Sequence, residues 1–277
     1  MYSPSISAYK AAVNGQPGLL SYYTFDGDDT NSTTVIDTVR GRNGSVNGNS
    51  AYASGLGGGT NRAFVFDGLT LIQLGILPEF AFTNKVGSIE LLVRNDSSNP
   101  AYAPCFAAYR EDANGGTVYS LHASADARQL AIWNGVGAPF FNGSTAGGVW
   151  HHYAVVFGTG GTTNTQFYLD GNRIATFDGY GPGSGDSSLA SAQLGSSQGT
   201  YAGEAWIGAL DEVAYYSTAL DQETVVAHFN ALAGVSLPVL DITRSGNSVI
   251  VSWTIGTPGW ILESSTSISG GEWANAG

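Results

Sequence analysis

A chain of 277 residues can bury a large core and can hold one big domain or two smaller ones. Its formal net charge of −12, with Lys10 and Lys85 as the only lysines, argues against nucleic acid and anionic membranes as partners. The 39 glycines and a charged fraction of 12% suit a sheet-rich protein with many turns better than a helical one. One cysteine, Cys105, excludes an intrachain disulfide, and no stretch approaches the ~20 apolar residues of a membrane span.

Residues 8–15 read as a helical turn ahead of GLLSYYTF (18–25), a strand that runs into the acidic loop DGDDTNSTT. After VIDTVRGRNGSV comes the glycine-rich ASGLGGGTNR. The next segment is AFVFDGLTLIQLG, in which period-2 alternation puts Phe64 and Phe66 on one face. SIELLVRN, VYSLHAS, QLAIWNG, WHHYAVVFG, TQFYLDGNRIATF, AQLGS and AWIGALDEVAYY are further strands, separated by Gly, Asn and Asp turns. YLDGNRIATF predicts a hairpin, with Asp170, Gly171 and Asn172 supplying the positive φ angles of a tight turn. Cys105 lies in the apolar segment YAPCFAAYR and is expected to be a buried, inert thiol. So many short strands with so little helix predict an all-β sandwich or barrel.

One helix is clearly marked. Asp221 can N-cap it, Val225, Val226, Phe229 and Leu232 form its apolar stripe, and Gly234 gives a left-handed stop. It is expected to cover an open end or edge of a domain spanning residues 1–232. AGVSLP (233–238) then reads as a linker, and 239–277 as a small β-module of three strands. The expected core of that module is Ile242, Val249, Val251, Trp253, Trp260 and Leu262. Some forty residues lie near the lower limit for independent folding, so the module is expected to lean on a partner or to be cut short.

YYTFDG, VIDTVRGRNGSV, AFVFDG, GSIELLVRN, WHHYAVVF, FYLDGNRIATF and WIGALDEVAYYSTALDQETVVAHF occur in that order. Together, over about residues 8–232, they resemble the laminin G-like/pentraxin-like branch of the concanavalin A-like jelly rolls. The resemblance implies two antiparallel sheets packed face to face, one of them concave, and extracellular binding or adhesion. It also implies a structural calcium ligated by the acid of the LDEV strand. Asp211 stands at that position, with Asp26 and Asp28 of FDGDDTN as companions, since calcium takes six to eight hard oxygen ligands. The C-terminal piece is similar to small β-modules of secreted bacterial proteins.

Strand alternation predicts that Asp211 and Glu212 face opposite ways and so cannot flank one glycosidic bond. Glu212 is then expected to accept hydrogen bonds from loop backbone. The acid spacing of catalytic jelly-roll glucanases, Glu-x-Asp-x-x-Glu or Glu-x-Asp-x-Glu, occurs on no strand of this chain. His151 and His152 are likewise expected to point apart, as structural residues with one imidazole bonded to backbone, and His122 and His228 to stand alone. Aromatic rings stack on sugar faces while amides bond hydroxyls, which singles out Trp133, Asn134, Phe140, Phe141, Tyr180 and Tyr201 as loop residues for glycan binding. The sequence thus predicts a secreted or cell-surface, non-enzymatic binding module for a glycan or a surface protein. The alternative is a structural subunit of a bacterial appendage, a homo-oligomer or multidomain array joined by strand addition at the C-terminal sheet edge. Polysaccharide hydrolysis or lysis is the third reading.

Overall fold

In a computed structural model the chain is described at residues 5–27, 33–76, 86–96, 102–110, 117–124, 129–133, 140–142, 148–158, 164–178, 190–196, 205–234, 240–245, 248–253, 263–264 and 274–275. Helix α1 (Ile6–Gly15) opens the fold, a full ten residues where the sequence suggested a turn. Strands β1 (Leu19–Tyr23), β2 (Thr34–Val35), β3 (Gly44–Asn47), β4 (Tyr52–Ser54), β5 (Arg62–Asp67) and β6 (Leu71–Ile76) come after it. Next are β7 (Gly87–Asn95), β8 (Tyr102–Arg110), β9 (Thr117–Ser124), β10 (Gln129–Trp133), β11 (Phe140–Asn142) and β12 (Trp150–Phe157). The domain closes with β13 (Thr165–Leu169), β14 (Asn172–Phe177), β15 (Ala190–Leu194), β16 (Ile207–Tyr216) and α2 (Gln222–Ala233). Four short strands lie beyond it: β17 (Leu240–Ser245), β18 (Ser248–Trp253), β19 (Glu263–Ser264) and β20 (Ala274–Asn275).

Strands β1 to β16 form two eight-stranded antiparallel sheets. One runs β14-β13-β12-β7-β16-β5-β4, with β1 also paired to β16, and the other runs β11-β10-β9-β8-β15-β6-β3-β2. Alternation along each strand sends one set of side chains inward. Phe64, Phe66, Ile89, Leu91, Val93, Tyr153, Val155, Phe157, Leu210 and Tyr215 of the first sheet meet Ile72, Leu74, Phe106, Leu121 and Leu194 of the second. The predicted jelly-roll sandwich is therefore the fold.

A second apolar layer lies on the far side of the first sheet. Tyr22, Leu92, Ala154, Val156, Tyr168, Ala214 and Tyr216 face outward there, and Tyr9, Val13, Val225 and Leu232 of the two helices cover them. The helix markers hold in detail. Asp221 accepts a hydrogen bond from Thr224 N at 2.7 Å, and Gly234 ends α2 at φ 67°. The stripe differs: Val225, His228 and Leu232 are buried whereas Val226 and Phe229 are only half-buried, so a histidine sits on the apolar face. The β13–β14 hairpin turns where predicted, with Asp170 at φ 50° and Gly171 at φ 74°, but Asn172 is the first residue of β14 and not a positive-φ position. Cys105 is buried in the central core, and burial pushes its thiol well above its usual range. After α2 the described residues form four strands in two pairs, β17-β18 and β19-β20, where the sequence suggested three.

Candidate functional site

β16 has a different neighbour along each half of one edge. Ile207–Leu210 pair with β5, whereas Val213–Tyr216 pair with β1. On its other edge β7 is continuous, but Asp211 pairs with Leu92 and Ala214 with Glu90, so β16 carries one residue more than its partner. This is a β-bulge, and Glu212 takes the positive φ of 52° that accommodates it. Leu210 and Val213 both point into the sandwich core, which leaves two consecutive outward residues between them. The alternation expected for Asp211 and Glu212 therefore fails: the bulge turns both carboxylates toward the same side, beneath α1, and both are fully buried.

The residues around the bulge complete an ionic cluster. Lys10, on α1, forms an ion pair with Asp26 and a second one with Glu212 Oε1 at 3.1 Å. Tyr22 donates its hydroxyl to Glu212 Oε2, so the Glu212 partners are side chains and not the loop backbone expected from the sequence. Asp211 Oδ1 accepts from Glu212 N at 2.9 Å, and its Oδ2 accepts from Asn61 Nδ2 at 2.8 Å. Asn61 also bonds Leu56 O, which closes the 55–61 loop over the bulge, and a Cβ on Gly55 would collide with Asp211 and Asn61. Asp26 Oδ1 accepts from Arg62 N at 2.8 Å. Burial, together with the neighbouring charge of Glu212, pushes the Asp211 carboxyl well up. Burial also raises that of Glu212, to about 7, against the opposing pull of Lys10 and Tyr22.

Asp211 and Asp26 are thus brought together as the resemblance implied, while Asp28 lies outside the described residues. The fit to calcium is poor. Both Asp211 oxygens and one of Asp26 already accept from N–H donors, and an ammonium stands between Asp26 and Glu212. Calcium needs those lone pairs for itself. No group of three or more His, Cys, Asp or Glu side chains among the described residues could hold a metal ion as arranged.

A second polar cluster was missed by the sequence reading. Glu90 is fully buried under the helices and accepts the Tyr216 hydroxyl at 2.5 Å. His228 Nδ1 of α2 lies 3.0 Å from Glu90 Oε1, and His152 Nε2 lies 3.2 Å from Oε2. Tyr9 of α1 packs edge-on against both imidazoles. His228 is therefore not isolated. His151 and His152 do diverge, but each imidazole meets a carboxylate and not backbone: His151 Nδ1 lies 2.8 Å from Asp170 Oδ2. Both imidazole clusters are fastenings between elements.

The third polar region is the outer face of the other sheet. Register places Thr34, Ser45, Gln73, Gln193, Ala107, Ser120 and Trp133 in one row across β2, β3, β6, β15, β8, β9 and β10. Gln73 falls between the core residues Ile72 and Leu74, and Ser120 precedes the core residue Leu121, so these polar side chains face away from the core. Ser45 is exposed and Gln73 half-buried, whereas Gln193, Ser120 and His122 are buried toward the sheet centre. His122 Nε2 meets Ser120 Oγ, so His122 is partnered too. Of the loop residues expected to bind sugar, Trp133, Phe140 and Phe141 lie on β10 and β11, with Phe140 paired to Ala131 and Phe141 to Leu130. Asn134, Tyr180 and Tyr201 lie outside the described residues.

A family model described as the concanavalin A-like lectin/glucanases superfamily, laminin G type, matches residues 70–226. That is more than half of the chain, and the protein belongs to this superfamily. Among solved structures, domain 4 of AbnA resembles it with a TM-score of 0.56 at 20% identity. AbnA is a GH43 extracellular arabinanase from Geobacillus stearothermophilus, solved in complex with arabinotriose, and the match covers 76% of this chain and 97% of that domain. Trypanosoma rangeli sialidase in complex with sialic acid has a TM-score of 0.59 at 14% identity, over 83% of this chain. The chain spans only 38% of the sialidase. The sequence matches no curated protein. These structural likenesses concern the fold, which hosts hydrolases and non-catalytic lectin modules alike.

Proposed function

We propose that the domain is a non-catalytic, extracellular glycan-binding module that receives its ligand on the outer face of the β11–β2 sheet. The observation that carries this reading is the outward-facing polar row, exposed at Ser45 and half-buried at Gln73, with Trp133 at the register position opposite Ser120 toward its other end. Amides and hydroxyls exchange hydrogen bonds with sugar hydroxyls, and an aromatic ring stacks on the C–H face of a pyranose or furanose. A structural relative that holds arabinotriose supports arabinan as the first polysaccharide to offer. The buried state of Asp211, Glu212 and Glu90 supports a role in binding and not in hydrolysis, because no substrate reaches them.

Affinity electrophoresis of the full chain through gels containing arabinan or other soluble polysaccharides tests the assignment. Retention is expected on at least one of them, weakened at least tenfold by Gln73→Ala and by Trp133→Ala with the unfolding midpoint unchanged. Passage of the parent through every gel unretarded, or equal retention of both variants, would overturn it.

A further inference from the structure

The ionic cluster at the bulge poses a charge problem that α1 solves. Asp26, Asp211 and Glu212 come together in a low-dielectric corner, where uncompensated carboxylates are costly. The usual remedy for such an oxygen-rich corner is a divalent cation. Here a side chain from a separate element arrives instead: Lys10 reaches from α1 to Asp26 and Glu212 together. Lys10 is one of only two lysines in the chain, so its place in the sole described acidic corner of this kind is specific. Asn61 Oδ1, buried beside Asp211 without a hydrogen-bond partner, is a further oxygen there.

We infer that the Lys10 ammonium is the resident cation of the Asp26–Asp211–Glu212 site. It stands where a divalent ion would otherwise be needed, so this corner is held together without calcium. Removing the ammonium changes the chemistry of the corner. Asp26 Oδ2 and Glu212 Oε1 then lose their cation, while Glu212 N, Asn61 Nδ2 and Arg62 N still hold the Asp211 and Asp26 oxygens, so the corner is left short of counter-charge and not arranged for calcium. Lys10 therefore takes the place of a metal in a corner whose side chains do not fit one.

Thermal unfolding of the full chain in millimolar calcium and in chelator, for the parent and for Lys10→Met, tests this. The parent is expected to unfold at the same temperature in both. Lys10→Met is expected to unfold several degrees lower in calcium and in chelator alike, because loss of the ammonium leaves Asp26 and Glu212 without a counter-charge. If Lys10→Met does not fold, Lys10→Arg, which keeps a cation there, is expected to fold and to stay indifferent to calcium. A parent midpoint raised by calcium, and no longer raised in Asp211→Asn, overturns the inference. So does a Lys10→Met protein as stable as the parent in chelator, or one that calcium restores to the parent midpoint.

Discussion

Glu90 stays ionised in a place that disfavours charge. Burial alone would raise its carboxyl, but the hydrogen bonds from His152 and His228, and their charge, hold it at about 2 against an ordinary value of 4.5. Between those values the unfolded chain binds a proton that the folded one does not. The stabilisation from Glu90 is therefore complete above about 4.5 and is lost as pH falls toward about 2. Glu90→Gln is expected to flatten the acid limb of the pH–stability curve in that interval. It should also lower stability at neutral pH by about 3 kcal/mol, as removal of one partner from a buried charged network does. Urea unfolding of the parent and variant over pH 2–7 measures both, and an acid limb of unchanged steepness would count against the assignment. None of this could be read from the sequence, because Glu90 is separated from His152 by 62 positions and from His228 by 138. Only the pairing of β7 with β12 and the placement of α2 over both bring the three together.

At the level of elements, legibility depends on the range of the forces involved. The ends of α2 were legible because capping is local: the Asp221 side chain needs only its own following turn, and Gly234 only its own backbone. Asp221→Ala should accordingly cost about 1 kcal/mol, seen as a lower urea midpoint, with the glycan-retention behaviour intact. A loss well below that size would mean that packing of Val225 and Leu232 fixes the helix end unaided. The β13–β14 hairpin was legible for the same reason, through Asp170 and Gly171. The bulge in β16 was not. It exists because β5 and β1 both pair along one edge of the same strand and leave an interval between Leu210 and Val213. No property of the letters LDEV marks that interval, and a period-2 reading necessarily sent Asp211 and Glu212 to opposite faces. The contribution of Lys10 was hidden in the same way, since α1 was visible only as a turn.

For the whole molecule, alternation was enough to give the sandwich, because each strand must bury one face whatever its neighbours. It could not give the second apolar layer, which forms only where two helices from opposite ends of the domain meet over one sheet. That meeting has a mechanical consequence. Ser5 N donates to Leu232 O at 2.8 Å, so the start of α1 and the end of α2 are joined at one point. Tension applied between residues 5 and 234 is carried first by the seam between α1 and α2 and not by the sandwich. Once the helices peel, the load reaches Leu19 and Tyr216, which are directly paired at the end of the β1–β16 ladder. That ladder is then pulled open one bond at a time, like a zip, and never sheared along its length. Single-molecule stretching across these two points should therefore show a short, low-force extension before the main rupture, whereas one abrupt rupture would place the strength at the seam itself. On this expectation a tether through residues 5 and 234 loads the helices and the β1–β16 ladder before it loads the β11–β2 sheet.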